Sequence, residues 1–106
     1  LRNSADSVTY YVTIARDTDY NGVVRCQSCG GVACDVHEIV PRSYLGSSNE
    51  ELLFSVENRV CLCRECHGKL HNDAGRGFLL GVLYRKYNYS YGGIHLWLLE
   101  EFLTEA

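Results

Sequence analysis

Four cysteines constrain this chain more than any other feature. They fall as two CxxC pairs, Cys26 with Cys29 and Cys63 with Cys66. Two residues between thiolates let both bind one tetrahedral ion, and two such pairs complete a four-sulfur shell. Any fold that uses the shell must bring the two distant pairs together. Three disulfides are the other use of six cysteines in a short chain, but the paired spacing favours a structural Zn²⁺. Cys34 and Cys61 are left over. They read as buried free thiols, which behave as small hydrophobes. A ligand exchange involving Cys34 is the alternative. Thiolate ligands imply a reducing compartment, so the expected location is cytoplasmic.

The length, 106 residues, predicts a single domain spanning the chain. A core of that size is modest, and a metal staple helps it. The net charge of −3 and the acidic pI of 5.7 argue against a large non-specific basic surface. Charges of the two signs balance through residue 93, and the acidic excess sits in Glu100, Glu101 and Glu105. A local basic patch in the middle of the chain would draw on Arg42, Arg59, Arg64, Lys69, Arg76, Arg85 and Lys86. No apolar run reaches membrane-spanning length.

Residues 7–16 alternate Val8, Tyr10, Val12 and Ile14 with Thr9, Tyr11 and Thr13, which predicts a strand; a short helix is the alternative. Asp19 to Gly22 is a turn signal. Gly30 and Gly31 follow the first CxxC, where a metal loop needs a tight backbone turn. Residues 34–40 predict a strand ended by Pro41. Residues 42–57 form a long loop containing a short helical turn, and loops that long in a compact domain are usually functional. A second strand is predicted over 59–62 and a helix over 64–72, giving a ββα unit. Residues 73–77 read as a break, 78–87 as a helix, and Gly92 with Gly93 as another break. Residues 94–103 predict an amphipathic helix, with Ile94, Trp97, Leu98 and Phe102 on its core face. A dimer interface on that helix, giving a homo-oligomer, is the second reading. The tyrosines at 84, 87, 89 and 91 suit a core or rim, with stacking on bases as the alternative.

The residues that carry chemistry come from three places. They are Asp35-Val36-His37-Glu38-Ile39-Val40-Pro41-Arg42-Ser43, then Asn58, then Cys63-x-x-Cys66-His67-x-x-x-His71. His67 and His71 stand four residues apart, on one face of a helix. In this order and spacing the chain resembles the HNH endonuclease family over roughly residues 25–72. The resemblance implies an α+β fold: a small ββα-metal finger stapled by a structural zinc at Cys26, Cys29, Cys63 and Cys66. Residues 73–106 would be a flanking helical extension.

The resemblance also implies an activity, metal-dependent hydrolysis of DNA that leaves a 5′ phosphate. A divalent ion, Mg²⁺, Mn²⁺, Ni²⁺ or Zn²⁺, would bind a phosphate oxygen, stabilise the transition state and assist the leaving oxygen. His37 and His67 would be its ligands, and His71 a third ligand or a phosphate contact. Asn58 would brace the long loop. Arg42, Arg64 and Lys69 are candidate nucleic-acid contacts.

Where the family keeps a histidine as general base, this chain has Glu38. Glutamate can serve as a base. In a regular strand, however, His37 and Glu38 point to opposite faces. A shifted assignment makes His37 the base and Asp35 a ligand. The second functional reading is a zinc-stabilised nucleic-acid-binding module with a decayed nuclease site. Phage packaging, restriction, homing and repair all use this finger, so a phage-encoded protein fits the family.

Overall fold

The computed structural model of the chain describes residues 4–87 and 94–104, the side chains of Ser4 and Ile94 excepted. Gly92, Gly93, Tyr89, Tyr91 and Glu105 lie outside these residues. The described residues form a small α+β domain. Helices surround a two-stranded antiparallel sheet, with β1 at Asp35–Glu38 and β2 at Arg59–Leu62. No helix among the described residues is long and apolar enough to cross a membrane.

The first element corrects the strand expected over residues 7–16. Ser4–Asp17 is a helix, α1. Its buried stripe is Thr9, Thr13 and Asp17, at helical spacing and polar. Val8, Tyr11 and Val12 face outward. Polar groups go inside because α1 covers the free edge of β2, whose backbone groups need partners. Asp17 Oδ2 accepts from Cys61 N at 2.9 Å, and Arg16 Nη2 donates to Arg59 O at 2.6 Å. Arg16 Nη1 adds a bond to Val56 O at 2.7 Å, and Thr9 Oγ1 meets Phe54 O. Two ion-paired side chains do what a third strand would do. An alternating pattern of apolar residues cannot reveal that demand.

Strand β1 pairs with β2 in the register Asp35↔Leu62, His37↔Val60 and Glu38↔Arg59. The intervening loop is more regular than its composition suggested. It carries the short helices α2 (Arg42–Leu45) and α3 (Glu50–Leu53) and two 3₁₀ turns, Ser47–Asn49 and Val56–Asn58. Leu45, Leu52 and Leu53 enter the core beside Ile39, Val40, Val60 and Leu62. Helix α4, Arg64–Lys69, follows β2 directly and ends before the predicted 72.

Helix α5 spans Asp73–Lys86, so residues 73–77 are its first turns and not a break. Asn72 caps it, its side-chain oxygen accepting from Gly75 N at 2.8 Å. Gly75 is there for contact: a Cβ would collide with the Leu70 backbone, so only glycine lets α5 start against the end of α4. Helix α6, Ile94–Thr104, packs on α5. Its buried residues are Leu96 and Leu99, whereas Trp97 and Leu98 are exposed. The core face is therefore turned from the one predicted through Trp97 and Leu98. Trp97 instead lies edge-on to Tyr84, ring centroids 5.9 Å apart.

Candidate functional site

The sulfurs of Cys26, Cys29, Cys63 and Cys66 all lie within 4.8 Å of one another. Among the described residues this is the one group of three or more metal-ligating side chains that close together. A tetrahedral zinc with Zn–S near 2.3 Å sets its sulfurs about 3.8 Å apart. Cys29 Sγ and Cys63 Sγ stand 3.8 Å apart.

The two cysteine pairs are made by different local devices. Cys26 and Cys29 sit on a turn closed by Gly30 N to Cys26 O at 2.9 Å, and Gly30 takes φ +80°, which glycine adopts without strain. Cys63 is the N-cap of α4, its sulfur accepting from Cys66 N at 3.4 Å. Cys29 N and Gly31 N point at Cys26 Sγ and Cys29 Sγ, at 3.5 and 3.4 Å. Backbone N–H groups aimed at sulfur favour thiolates. Against its own burial, such donors bring the Cys26 thiol down to about 7. Gln27 N donates to Cys61 O at 3.0 Å and ties the turn to β2. The donor set and spacing fit a structural metal ion.

Neither leftover cysteine belongs to the cluster. Cys61 is buried, and that burial pushes its thiol up to about 12. Cys34 is exposed, which corrects the expectation that it is buried.

Three histidines meet on the other side of α4. The His37 ring lies 4.7 Å from His67 and 5.6 Å from His71, with 6.0 Å between the last two, measured between centroids. Strand β1 supplies the first and α4 the second, and the third, His71, lies two residues beyond the end of α4. His37 is 3% exposed, and its Nε2 is buried without a hydrogen-bond partner. A buried imidazole nitrogen without a partner suits a metal ligand. Burial, then the neighbouring His67, His71 and Arg76, lower the His37 pKa to about 4, so it is neutral at ordinary pH. Arg64, His67, Gly68 and His71 line a shallow open concavity beside it.

Asp35 shares the His37 face of β1 and reaches His67 Nδ1 at 3.1 Å. Carboxylates in this position fix the tautomer of a metal-binding histidine and turn its other nitrogen outward. The Arg64 guanidinium and then His67 hold Asp35 below the usual carboxylate range. Sequence reasoning had Asp35 only as an alternative ligand. The period-two alternation of 35 and 37 is the signal that put both on one face.

Asn58 is fully buried and bonds Val40 at both backbone groups. Its Oδ1 accepts from Val40 N at 2.8 Å and its Nδ2 donates to Val40 O at 2.9 Å. It thereby closes the long loop on Val40, two residues beyond the end of β1. Glu38 lies on the opposite face of β1 from His37, exposed, with Oε2 3.7 Å from Arg59 Nη2. The structure does not bring it to the histidines.

The cations of the expected basic patch divide. Arg42, Arg64 and Lys69 are exposed, Arg64 pairing with Asp35 and Lys69 with Glu65. Arg59 and Arg76 are buried and belong to the interior, because each is held by an aspartate, Asp6 and Asp73. Comparison of the chain with protein-family models, with curated proteins and with solved structures found no match.

Proposed function

We propose that this chain is a metal-dependent DNA endonuclease of the HNH type, with a ββα-metal finger at residues 25–72. The observation that carries the reading is the meeting of His37, His67 and His71 beside a helix whose first turn carries two of the four clustered cysteines. A zinc knuckle alone needs none of these histidines. His37 and His67 would hold the reaction metal, with His71 a third ligand or a phosphate contact. Nitrogen ligands favour Mn²⁺, Ni²⁺ or Zn²⁺ over Mg²⁺ in affinity. The ion would polarise the scissile phosphate and stabilise the leaving 3′ oxygen.

The chain's own residues supply the frame. Asp35 orients His67, and Asn58 holds the end of β1. Arg42, Arg64 and Lys69 would meet the DNA backbone. By its place in the family pattern Glu38 would take the proton from water as it attacks phosphorus and the P–O3′ bond breaks, which requires the end of β1 to turn and bring the carboxylate round from the Arg59 side. Thiolate ligands suit a reducing, cytoplasmic setting, and the exposed Trp97 and Leu98 would be the contact if the chain self-associates.

One observation favours a second reading, a DNA-binding module with a decayed nuclease site. Glu38, in the base position, faces away from the histidines and toward Arg59. A supercoiled-plasmid assay in Mn²⁺ separates the two readings. The endonuclease nicks or linearises plasmid, and Glu38→Ala loses ~10²–10⁴-fold in rate without losing DNA binding. If wild type is inert and Glu38→His cuts, the binding module is the correct reading. If Glu38→Ala cuts normally, another group is the base.

A further inference from the structure

Helix α6 turns an apolar ridge outward and borders it with carboxylates. Trp97 is 66% exposed and its neighbour Leu98 44%. Exposed apolar surface rimmed by polar groups marks an interaction site. Two hollows flank the ridge. One, of about 300 Å³, lies between α3 and α6 and is lined by Glu51, Leu52, His95, Leu98, Glu101 and Phe102 among others. The second, of about 260 Å³, is lined by Trp97, Glu100, Glu101 and Thr104. Glu101 stands in both. Ligand pockets begin at about 300 Å³, so hollows of this size suit single side chains of a partner.

The charge of this surface has one sign. Glu51, Glu100 and Glu101 are exposed, and among the described residues no Lys or Arg lines either hollow. His95 is the one residue there that can turn positive, and its ring is already held between Glu57 at 2.9 Å and Glu51 at 3.6 Å. Tyr84 sets an aromatic ring and a carboxylate side by side. Its ring meets Trp97 at 83°, and its hydroxyl donates to Glu100 Oε2 at 3.2 Å. A guanidinium stacks on an indole face and forks onto a carboxylate, and the second hollow offers both.

We infer that this face of α6 docks an arginine-rich segment of a partner protein, with apolar side chains between its arginines. One arginine stacks on Trp97 and bonds Glu100 or Glu101. Another reaches Glu51 across the ridge, and an apolar side chain between them covers Leu98 and Phe102. The carboxylates repel nucleic-acid phosphates and anionic lipid headgroups. A second copy docked face to face would set like charges against each other. The inference stands apart from the endonuclease reading and needs no task of the histidines.

The chain has one tryptophan, so its fluorescence reports on this face directly. The zinc-loaded full chain is titrated with a synthetic peptide of alternating arginine and leucine. The expected result is a saturable Trp97 signal that weakens with salt. Glu101→Lys should lower the affinity about tenfold. Glu65→Lys makes the same change of net charge on the exposed side of α4 and should leave the affinity within about twofold. A peptide with glutamate in place of arginine, and phosphatidylserine vesicles, should leave the signal unmoved. No saturable signal with the arginine peptide overturns the inference. Equal effects of the two substitutions also overturn it, because the attraction is then general. An equal response to the glutamate peptide or to the vesicles does the same. A dimer in sedimentation that Leu98→Ser returns to monomer assigns the face to a second copy and overturns it too.

Discussion

His37 shows how one residue ties function to stability. It is buried, and its pKa is lowered to about 4 by burial first and then by His67, His71 and Arg76. In the unfolded chain a histidine titrates near ~6.5. Between these values the unfolded chain takes up a proton that the folded chain refuses. The stability linked to His37 is therefore fully present above the unfolded value and drains away as pH falls toward 4. With solvent screening allowed for, the loss is on the order of 2 kcal/mol. Urea unfolding without added metal, from neutral pH down to about pH 4.5, checks this. Wild type should lose more stability than His37→Asn by that amount. Parallel pH profiles for the two proteins would contradict it. The same neutrality keeps a nitrogen lone pair available to a metal.

At the scale of elements, α1 is the clearest case of tertiary need overriding local pattern. Asp17 is fully buried at its side chain, paired to Arg16 at 2.8 Å, and it accepts the Cys61 N–H. Removing one partner of a buried pair typically costs about 3–5 kcal/mol. Asp17→Ala should fall in that range by chemical denaturation. Val12→Ala, on the exposed face, should stay within about 0.5 kcal/mol of wild type. Equal effects of the two would mean that α1 does not cover β2 as described.

The contrast also marks what the sequence made legible. The second strand, the helix after it and the pairing of the two CxxC units were readable, because metal spacing and a short buried apolar run are local signals. Helix α1 was not, because the reason for its polar inner face is the backbone of β2, more than forty residues away (Asp17 meets Cys61 across 44 positions). The start of α5 was hidden by Gly75 and Gly77, which read as a break. Gly75 is required there by contact with Leu70, a fact only packing reveals. Trp97 and Leu98 drew the core face of α6 to the wrong side, because Leu96 and Leu99 are the residues that enter the core. Asp35 was legible only as an alternative ligand, because its bond to His67 joins residues 32 positions apart.

Across the whole molecule, α4 joins two chemistries. Its first turn holds half of the cysteine cluster, and its other side carries His67 toward His37. The proposed division of labour gives the cysteines a zinc that holds the fold and the histidines a metal that does the reaction. Structural zinc contributes folding free energy outright. Cys63→Ser should therefore lose zinc together with its cooperative thermal transition. His67→Ala should keep both, because His67 is outside the cluster and only half-buried.

That difference makes the cleavage rate of zinc-loaded His67→Ala on supercoiled plasmid, at saturating Mn²⁺, the most direct measurement. Zinc content is determined on the same sample. The account predicts one zinc per chain, as in wild type, and no cleavage. Cleavage at the wild-type rate would contradict it.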